Sequence, residues 1–204
     1  MKRLSILVIL LLAAFAVYWF GFRKKESKPK PPKQQPIAVK KHSDVFNNSV
    51  DSAMTAYFSM KDAFVEADTA KAKTAARDFI RLLDSIHLDE LKKDDSSIIA
   101  TASGTINDIK ANAKSLLLQT DITEMRQDFR TVSDMLYPGF FKTINYEGPS
   151  LYLQNCPMAF NGDKDANWIS NSEEVVNPYL GKNHPKYKAT MLNCGEVKDS
   201  IVVK

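Results

Sequence analysis

The chain has 204 residues, of which 44% are hydrophobic and 25% are charged, and these proportions exclude an intrinsically disordered protein. Seven glycines are few for this length and favour long helices over a loop-rich β-sandwich. The net charge of +4 is unevenly distributed, because residues 23–41 hold eight Lys or Arg side chains against one Glu. The remainder, from His42 onward, is net acidic, so the charge gives no support for nucleic-acid binding.

The N-terminal region resembles a membrane anchor. Residues 4–22 form a run of 19 residues without a charge, which is long enough to cross a bilayer as a helix. We expect residues 1–22 to be an uncleaved signal anchor; the alternative is a signal peptide, since Ala14 to Ala16 fits a small-x-small cleavage site. Residues 23–42 are rich in Pro and Lys and predict an extended basic linker next to anionic lipid head groups.

Four segments between residues 43 and 142 have the apolar periodicity of helices. They run from about Ser43 to Ala67, from Asp68 or Thr69 to Ile86, from near Asp95 to Leu117, and from Asp121 to Leu136. Short connections between most of them predict antiparallel neighbours. The predicted fold class is therefore mainly α, with an antiparallel bundle of about four helices and a small C-terminal β/loop segment.

The pattern changes after Gly148-Pro149, where short alternating segments predict strands or strand-like loops. One of these segments, residues 188–197, is predicted to be extended up to Gly195. We place the bundle at residues 43–142 and the C-terminal segment at residues 143–204, within one globular domain of residues 43–200.

Each of the two cysteines has a methionine close to it in the sequence. The proline between Cys156 and Met158 favours an extended chain, in which the two side chains point to the same side. Met191 and Cys194 converge only if the chain turns between them. Thiolate and thioether are the ligands that select Cu(I), so the four sulfur atoms are a candidate metal site, with His184 as a possible additional ligand.

A disulfide between Cys156 and Cys194 is the alternative interpretation, and spacing alone favours it over a metal. It would close a loop of about 39 residues and stabilise the fold by a few kcal/mol in the chain-entropy model. Met158 and Met191 would then be ordinary packing residues. The sequence predicts no enzymatic activity, since it has no Cys–His pairing motif, paired carboxylates, P-loop or GxSxG.

Several C-terminal elements recur in the same order in a known family. They are Cys-Pro-Met at 156–158, Trp168, Asn-Pro-Tyr-x-Gly at 177–181 and Met-x-x-Cys-Gly at 191–195. Over about residues 44–198 the chain resembles a domain of uncharacterised function that is widespread in Bacteroidota. That domain occurs alone or attached to periplasmic adaptor (membrane-fusion) subunits of heavy-metal efflux pumps.

The resemblance implies a helical bundle with the Cys/Met segment folded against it, which binds copper or a related heavy metal outside the cytoplasm. The implied ligands are Cys156, Met158, Met191 and Cys194. The implied framework residues are Trp168, Asn177, Pro178, Tyr179, Gly181 and Gly195. One departure is that many members pass almost directly from the Gly of Asn-Pro-Tyr-x-Gly to the Met, whereas residues 182–190 intervene here.

The orientation of the anchor follows from this resemblance rather than from the charge pattern. The basic linker outweighs Lys2 and Arg3, which by the positive-inside rule would leave the domain in the cytoplasm. A short basic start before an apolar run is instead typical of an export signal. We therefore expect an inner-membrane anchor with a periplasmic domain that binds a heavy metal, Cu(I) above others, and works with efflux proteins. The alternative is a non-metal module of the cell envelope, held by a Cys156–Cys194 disulfide.

Overall fold

A computed structural model of the chain describes residues 37, 41–160 and 162–202. The expected signal anchor at residues 1–22 and nearly all of the basic linker lie outside the described residues. Within the described part, no helix is both long and apolar enough to cross a membrane.

The domain is mainly helical, as the sequence predicts. Its α-helices are α1 (Asp44–Val65), α2 (Thr69–Leu83), α3 (Ser96–Leu118), α4 (Ile122–Asp134) and the single-turn α5 (Phe141–Ile144). A 3-10 helix at Leu88–Lys93 connects α2 to α3, and a π-helical turn at Met135–Phe140 connects α4 to α5. Consecutive long helices pack together, with α1 on α2, α2 on α3 and α3 on α4.

Each long helix begins directly after a residue whose side chain caps its first turn. Ser43 accepts the N–H of Phe46, and Asp68, Asp95 and Asp121 make the equivalent bonds for α2, α3 and α4. Such caps satisfy backbone donors that have no partner within the helix. The predicted helix starts are therefore confirmed.

Two helix ends differ from the prediction. The second helix stops at Leu83 instead of Ile86, and the chain continues into the 3-10 helix. Met135 and Leu136 were predicted in the fourth helix but lie in the π-helical turn. Pro138 lies within that turn and has no N–H to continue the α-helical ladder.

The sequence predicts that Met54, Met60, Met125 and Met135 are packing residues of the bundle. Met135 is half-buried in the π-helical turn and packs against the core. Met54, Met60 and Met125 are each at most 3% exposed and belong to the same apolar core as Phe79 and Phe129. An unbranched thioether fills irregular gaps between aromatic rings well, so this core explains them without a metal.

The C-terminal segment forms an antiparallel sheet of three strands, β1 (Leu151–Phe160), β2 (Lys164–Ser170) and β3 (Glu196–Ile201). The strand order is β2-β1-β3, so β1 is central. The prediction that residues 188–195 are extended is wrong. They contain a 3-10 turn at Ala189–Met191, and the strand begins only after Gly195, whose φ of +143° favours glycine.

A polar chain and an aromatic cluster join the sheet to the bundle. The Tyr57 hydroxyl lies 2.6 Å from Ser133 Oγ and accepts the N–H of Ile169 on β2 at 3.0 Å. Tyr179 packs its ring 6.0 Å from that of Phe129 on α4 and 5.9 Å from that of Trp168 on β2. The sequence predicts Trp168, Tyr152 and Tyr179 as the local core of this segment. Trp168 and Tyr179 are at most 1% exposed, whereas Tyr152 is only half-buried.

Candidate functional site

The structure brings the two cysteines into contact. Cys156 is fully buried on β1, and Cys194 is half-buried in the turn before β3. Their Sγ atoms are 2.9 Å apart, and both are free thiols. The β1–β3 pairing accounts for this proximity, because Asn155 pairs with Glu196 and Cys194 lies in the turn two residues before Glu196. A pair 38 residues apart in the chain is thus placed by sheet formation.

Met191 shares a turn with Cys194, which meets the condition for their convergence although the segment was predicted to be extended. The N–H of Cys194 donates to the Met191 carbonyl at 3.0 Å, and the N–H of Leu192 donates to that of Ala189 at 3.1 Å. Met191 is half-buried and packs against the apolar core. Met191 and Cys194 are therefore held in one backbone turn.

Met158 lies in a different setting. Between Cys156 and Phe160 the pairing of β1 is irregular, because Cys156 pairs with Ala166 and Phe160 pairs with Lys164. Four steps along β1 thus match two along β2, and the regular alternation that would aim Cys156 and Met158 the same way is lost. Met158 lines a cavity that borders none of the other three sulfur residues. Its role as a ligand stays a prediction.

His184 is held by its own loop. Its Nδ1 accepts the backbone N–H groups of Lys186 and Tyr187, both at 3.2 Å, and its ring stacks 4.9 Å from that of Tyr187. With Nδ1 acting as acceptor, the neutral ring has its proton on Nε2, which then has no lone pair for a metal. This arrangement counts against His184 as a ligand in the geometry observed.

Asn177 positions the loop that holds Cys194. Its Oδ1 accepts the N–H groups of Tyr179 and Leu180 at 2.8 and 3.0 Å, which forms the Asn-Pro-Tyr turn. Its Nδ2 donates to the Cys194 carbonyl at 2.7 Å, and its backbone N–H donates to the Leu192 carbonyl at 2.8 Å. The side chain is fully buried. The Asn-Pro-Tyr motif therefore fixes the position of the turn that contains Cys194.

Gly195 and Gly181 allow two close backbone approaches. A Cβ on Gly195 would lie 2.7 Å from the Asn155 carbonyl and 2.9 Å from the Trp168 ring, so the cysteine turn rests directly on the tryptophan. Gly181 has a φ of +58°, and a Cβ there would lie 2.6 Å from the Val65 carbonyl at the end of α1. Both positions require glycine.

Arg126 fastens the Asn-Pro-Tyr-x-Gly turn to the bundle. Its Nε donates to the Pro178 carbonyl and its Nη2 to the Phe64 carbonyl, both at 2.8 Å. Burial lowers the pKa of Arg126 to about 10, so the guanidinium stays charged at neutral pH. The sequence interpretation missed this residue. The available signal was a charged side chain on the inward face of α4, beside Met125 and three positions before Phe129.

Gln154 was also missed. It is fully buried on β1, and its Nε2 is within 3.2 Å of three successive carbonyl oxygens, those of Ser172, Glu173 and Glu174. The bonds tie the loop after β2 to the central strand. A polar residue in a predicted strand gave no indication of partners about twenty positions away.

The cysteine pair lies in a poorly solvated environment. Burial, together with a hydrogen bond to Cys156, raises the pKa of the Cys194 thiol to about 12. At neutral pH the thiol therefore keeps its proton, and a metal that binds there must displace it. Among the described residues, no group of three or more His, Cys, Asp and Glu side chains is arranged to hold a metal ion.

Comparison with protein-family models gives a match to the bundle. A family model described as "Protein of unknown function (DUF3347)" matches residues 53–145. The match spans most of the bundle, from within α1 to the end of α5, and stops before β1. No curated protein and no solved structure matches the chain. The match over residues 53–145 is consistent with an uncharacterised domain. The Cys/Met elements at 156–195 that carry the resemblance lie outside it, so that part of the resemblance, the occurrence in Bacteroidota and the attachment to adaptor subunits remain expectations.

Proposed function

We propose that the chain is a membrane-anchored, extracytoplasmic module that binds a soft heavy-metal ion, preferably Cu(I), through Cys156 and Cys194. The observation that supports this proposal best is the contact between two free thiols at 2.9 Å, with the Met191 thioether in the same turn as Cys194. Two thiolates and a thioether are soft donors that suit Cu(I) and disfavour hard cations. An accessory role in metal efflux rests on the family resemblance alone.

The geometry fits an ion after a small adjustment. Two sulfur atoms at ~2.3 Å from one metal, with a tetrahedral angle, are ~3.8 Å apart, so the thiols would separate by about 1 Å. Cys156 is fixed in the central strand, but Cys194 lies in a turn and is half-buried. The movement would therefore occur at Cys194. When bound, the ion would replace the proton that the Cys194 thiol holds at neutral pH.

Competition with a Cu(I) chelator tests the proposal on the full-length chain under reducing conditions. We expect one equivalent to bind to the wild type and none to the Cys156→Ser/Cys194→Ser double variant. Met191→Leu should weaken binding about tenfold through the loss of one ligand, whereas Met54→Leu, in the bundle core, is the matched control. Unchanged binding by the double cysteine variant would refute the proposal. Unchanged binding by Met158→Leu would remove Met158 from the ligand set.

The alternative function is a non-metal interaction or structural module of the cell envelope, held by a Cys156–Cys194 disulfide. The observation that favours it is the same 2.9 Å separation, since the sulfurs need to approach by only about 0.9 Å to reach the ~2.05 Å of a disulfide. A disulfide is also neutral and suits a site that raises the pKa of a thiol.

Free thiols distinguish the two functions. The protein is extracted from the envelope into acid and unfolded before alkylation, because the raised pKa of Cys194 would otherwise slow its reaction. Two alkylated cysteines contradict the disulfide, and none contradicts a resident dithiolate site. A Cys156→Ser variant shows that alkylation of a lone Cys194 is complete under these conditions.

A further inference from the structure

The loop that departs from the family pattern borders a small cavity. This cavity of ≈ 200 Å³ lies between the irregular end of β1, at Met158 and Ala159, and the loop residues His184, Lys186 and Tyr187. The loop is not needed to bring the cysteines together, since the β1–β3 register does so. It therefore contributes a surface feature that the proposed metal site leaves unexplained.

The polar side chains around the cavity provide hydrogen-bond donors and a positive charge. Lys186 is exposed, forms no ion pair with any residue that the structure describes, and lies 4.9 Å above the Tyr187 ring. The Nδ1 of His184 is occupied by two backbone N–H groups, so Nε2–H is the imidazole group that remains for a ligand. Among the residues that the structure describes, none with a carboxylate lines the cavity. A cation beside an N–H donor is a suitable site for a ligand that is negatively charged and accepts hydrogen bonds.

The surroundings add to the positive character. Arg126 is buried and donates to backbone carbonyls, and both Arg126 and Lys186 act with burial to lower the pKa of His184. A bound anion would be attracted by the positive charges of both Arg126 and Lys186. Lys182, by contrast, is already paired with Glu66, so that lysine of the same loop contributes little net charge.

We propose that this cavity binds an anionic oxygen group, a carboxylate or a phosphate, through Lys186 and the Nε2–H of His184. The cavity volume of ≈ 200 Å³ has room for a group of a few non-hydrogen atoms such as a carboxylate or a phosphate. The group could come from a free small anion or from an acidic side chain of a partner protein. The proposal does not require a metal at the cysteines.

The His184 ring provides a direct readout on the full-length chain. Long-range ¹H–¹⁵N spectra, assigned with a His184→Gln variant, report the tautomer and its response to sodium acetate, inorganic phosphate and a Glu-containing peptide. A peptide with Gln in place of Glu, and sodium chloride at matched ionic strength, are the controls. We expect the Nε2–H tautomer in the free protein and a saturable shift, with a dissociation constant on the order of 1 mM or below for at least one probe.

Matched lysine variants separate a site from general attraction. Lys186→Met should weaken binding about fivefold, and Lys188→Met, which removes the same charge from the same loop without touching the cavity, less than about twofold. Saturation by acetate or phosphate identifies a free anion as sufficient, and saturation by the Glu peptide alone identifies a partner carboxylate. Absence of a saturable response to every probe, equal losses in both variants, or an Nδ1–H tautomer would overturn the proposal.

Discussion

The helical bundle and the C-terminal segment differ in what holds them together. The bundle, α1 to α5, is held by a periodic apolar core. Each of its long helices begins after a cap residue whose side chain accepts an N–H two or three residues further along the chain. The sheet and its loops instead depend on a few buried polar side chains that reach distant backbone groups. In the bundle many small contributions share the free energy of folding. In the C-terminal segment single residues decide where a loop lies.

This difference determines how each region should respond to substitution. Loss of one exposed contact in the bundle leaves the remaining apolar stripe intact. Loss of Arg126, Asn177 or Gln154 leaves buried carbonyls or N–H groups without partners, which costs more than the bond itself is worth. The position of Cys194 should therefore depend more on the buried hydrogen bonds of Arg126, Asn177 and Gln154 than on the packing of distant helices.

The largest expected effect is at the junction of the two regions. Arg126→Met should lower the free energy of unfolding by about 3 kcal/mol, because the Phe64 and Pro178 carbonyls lose their charged donor. Urea denaturation measures the change. The control is Arg130→Met on the same helix, where a partly exposed guanidinium faces Asp134 at 3.6 Å and should matter by less than about 0.5 kcal/mol. Equal effects would show that Arg126 does not have this special role.

A smaller effect on stability, with a local signature, is expected at Asn177. Asn177→Ala removes two N–H acceptor contacts and the bond to the Cys194 carbonyl, and should cost about 2 kcal/mol. Release of the turn should also expose Cys194, so its alkylation in the native, reduced protein should accelerate several-fold. Asn193→Ala, which loses one exposed bond to the Val175 carbonyl, is the control and should leave the alkylation rate unchanged. Alkylation unaffected by Asn177→Ala would contradict the role of Asn177 in fixing that turn.

The smallest expected effect concerns the bundle and appears only in acid. Hydrogen bonds from the Ser43 hydroxyl and N–H lower the pKa of Glu90 to about 2 from its ordinary 4.5. A carboxylate with a depressed pKa in the folded state stabilises the protein above pH 4.5, and this contribution is lost as the pH falls towards 2. Thermal denaturation between pH 6 and 2 should show a steeper loss for the wild type than for Glu90→Gln. Ser43→Ala should lose less stability between pH 6 and 2 than the wild type, because Glu90 then lacks the hydroxyl donor. Parallel curves for all three proteins would show that Glu90 makes no such pH-dependent contribution.

The parts predicted from the sequence are those with a local cause. Helix starts at Ser43 and Asp121 could be predicted because the cap and the first turn are adjacent in the chain. A turn between Met191 and Cys194 was only the condition for their convergence, and the structure contains it although the segment was predicted to be extended. Local composition was therefore sufficient for the helix starts alone.

The parts that were missed depend on register or on distant partners. The irregular pairing after Cys156 arises between two strands, so the period of β1 alone does not reveal it. The partners of Arg126 lie 62 and 52 residues away, and those of Gln154 are backbone atoms that no residue type indicates. Residues 188–195 were predicted as extended, but they form a turn that ends at Gly195, directly before β3.

The central position of β1 has a consequence for the newly made chain. Because β3 follows β1 by more than thirty residues, the ribosome delivers Cys156 well before the segment that will cover it. At roughly 5–20 residues per second, Cys156 spends a few seconds without Cys194 as a neighbour. During that interval it is a lone thiol, open to other cysteines and to soft ions. An ion or a thiol that binds Cys156 in this interval would meet it without Cys194, so the paired site exists only once β3 has joined the sheet.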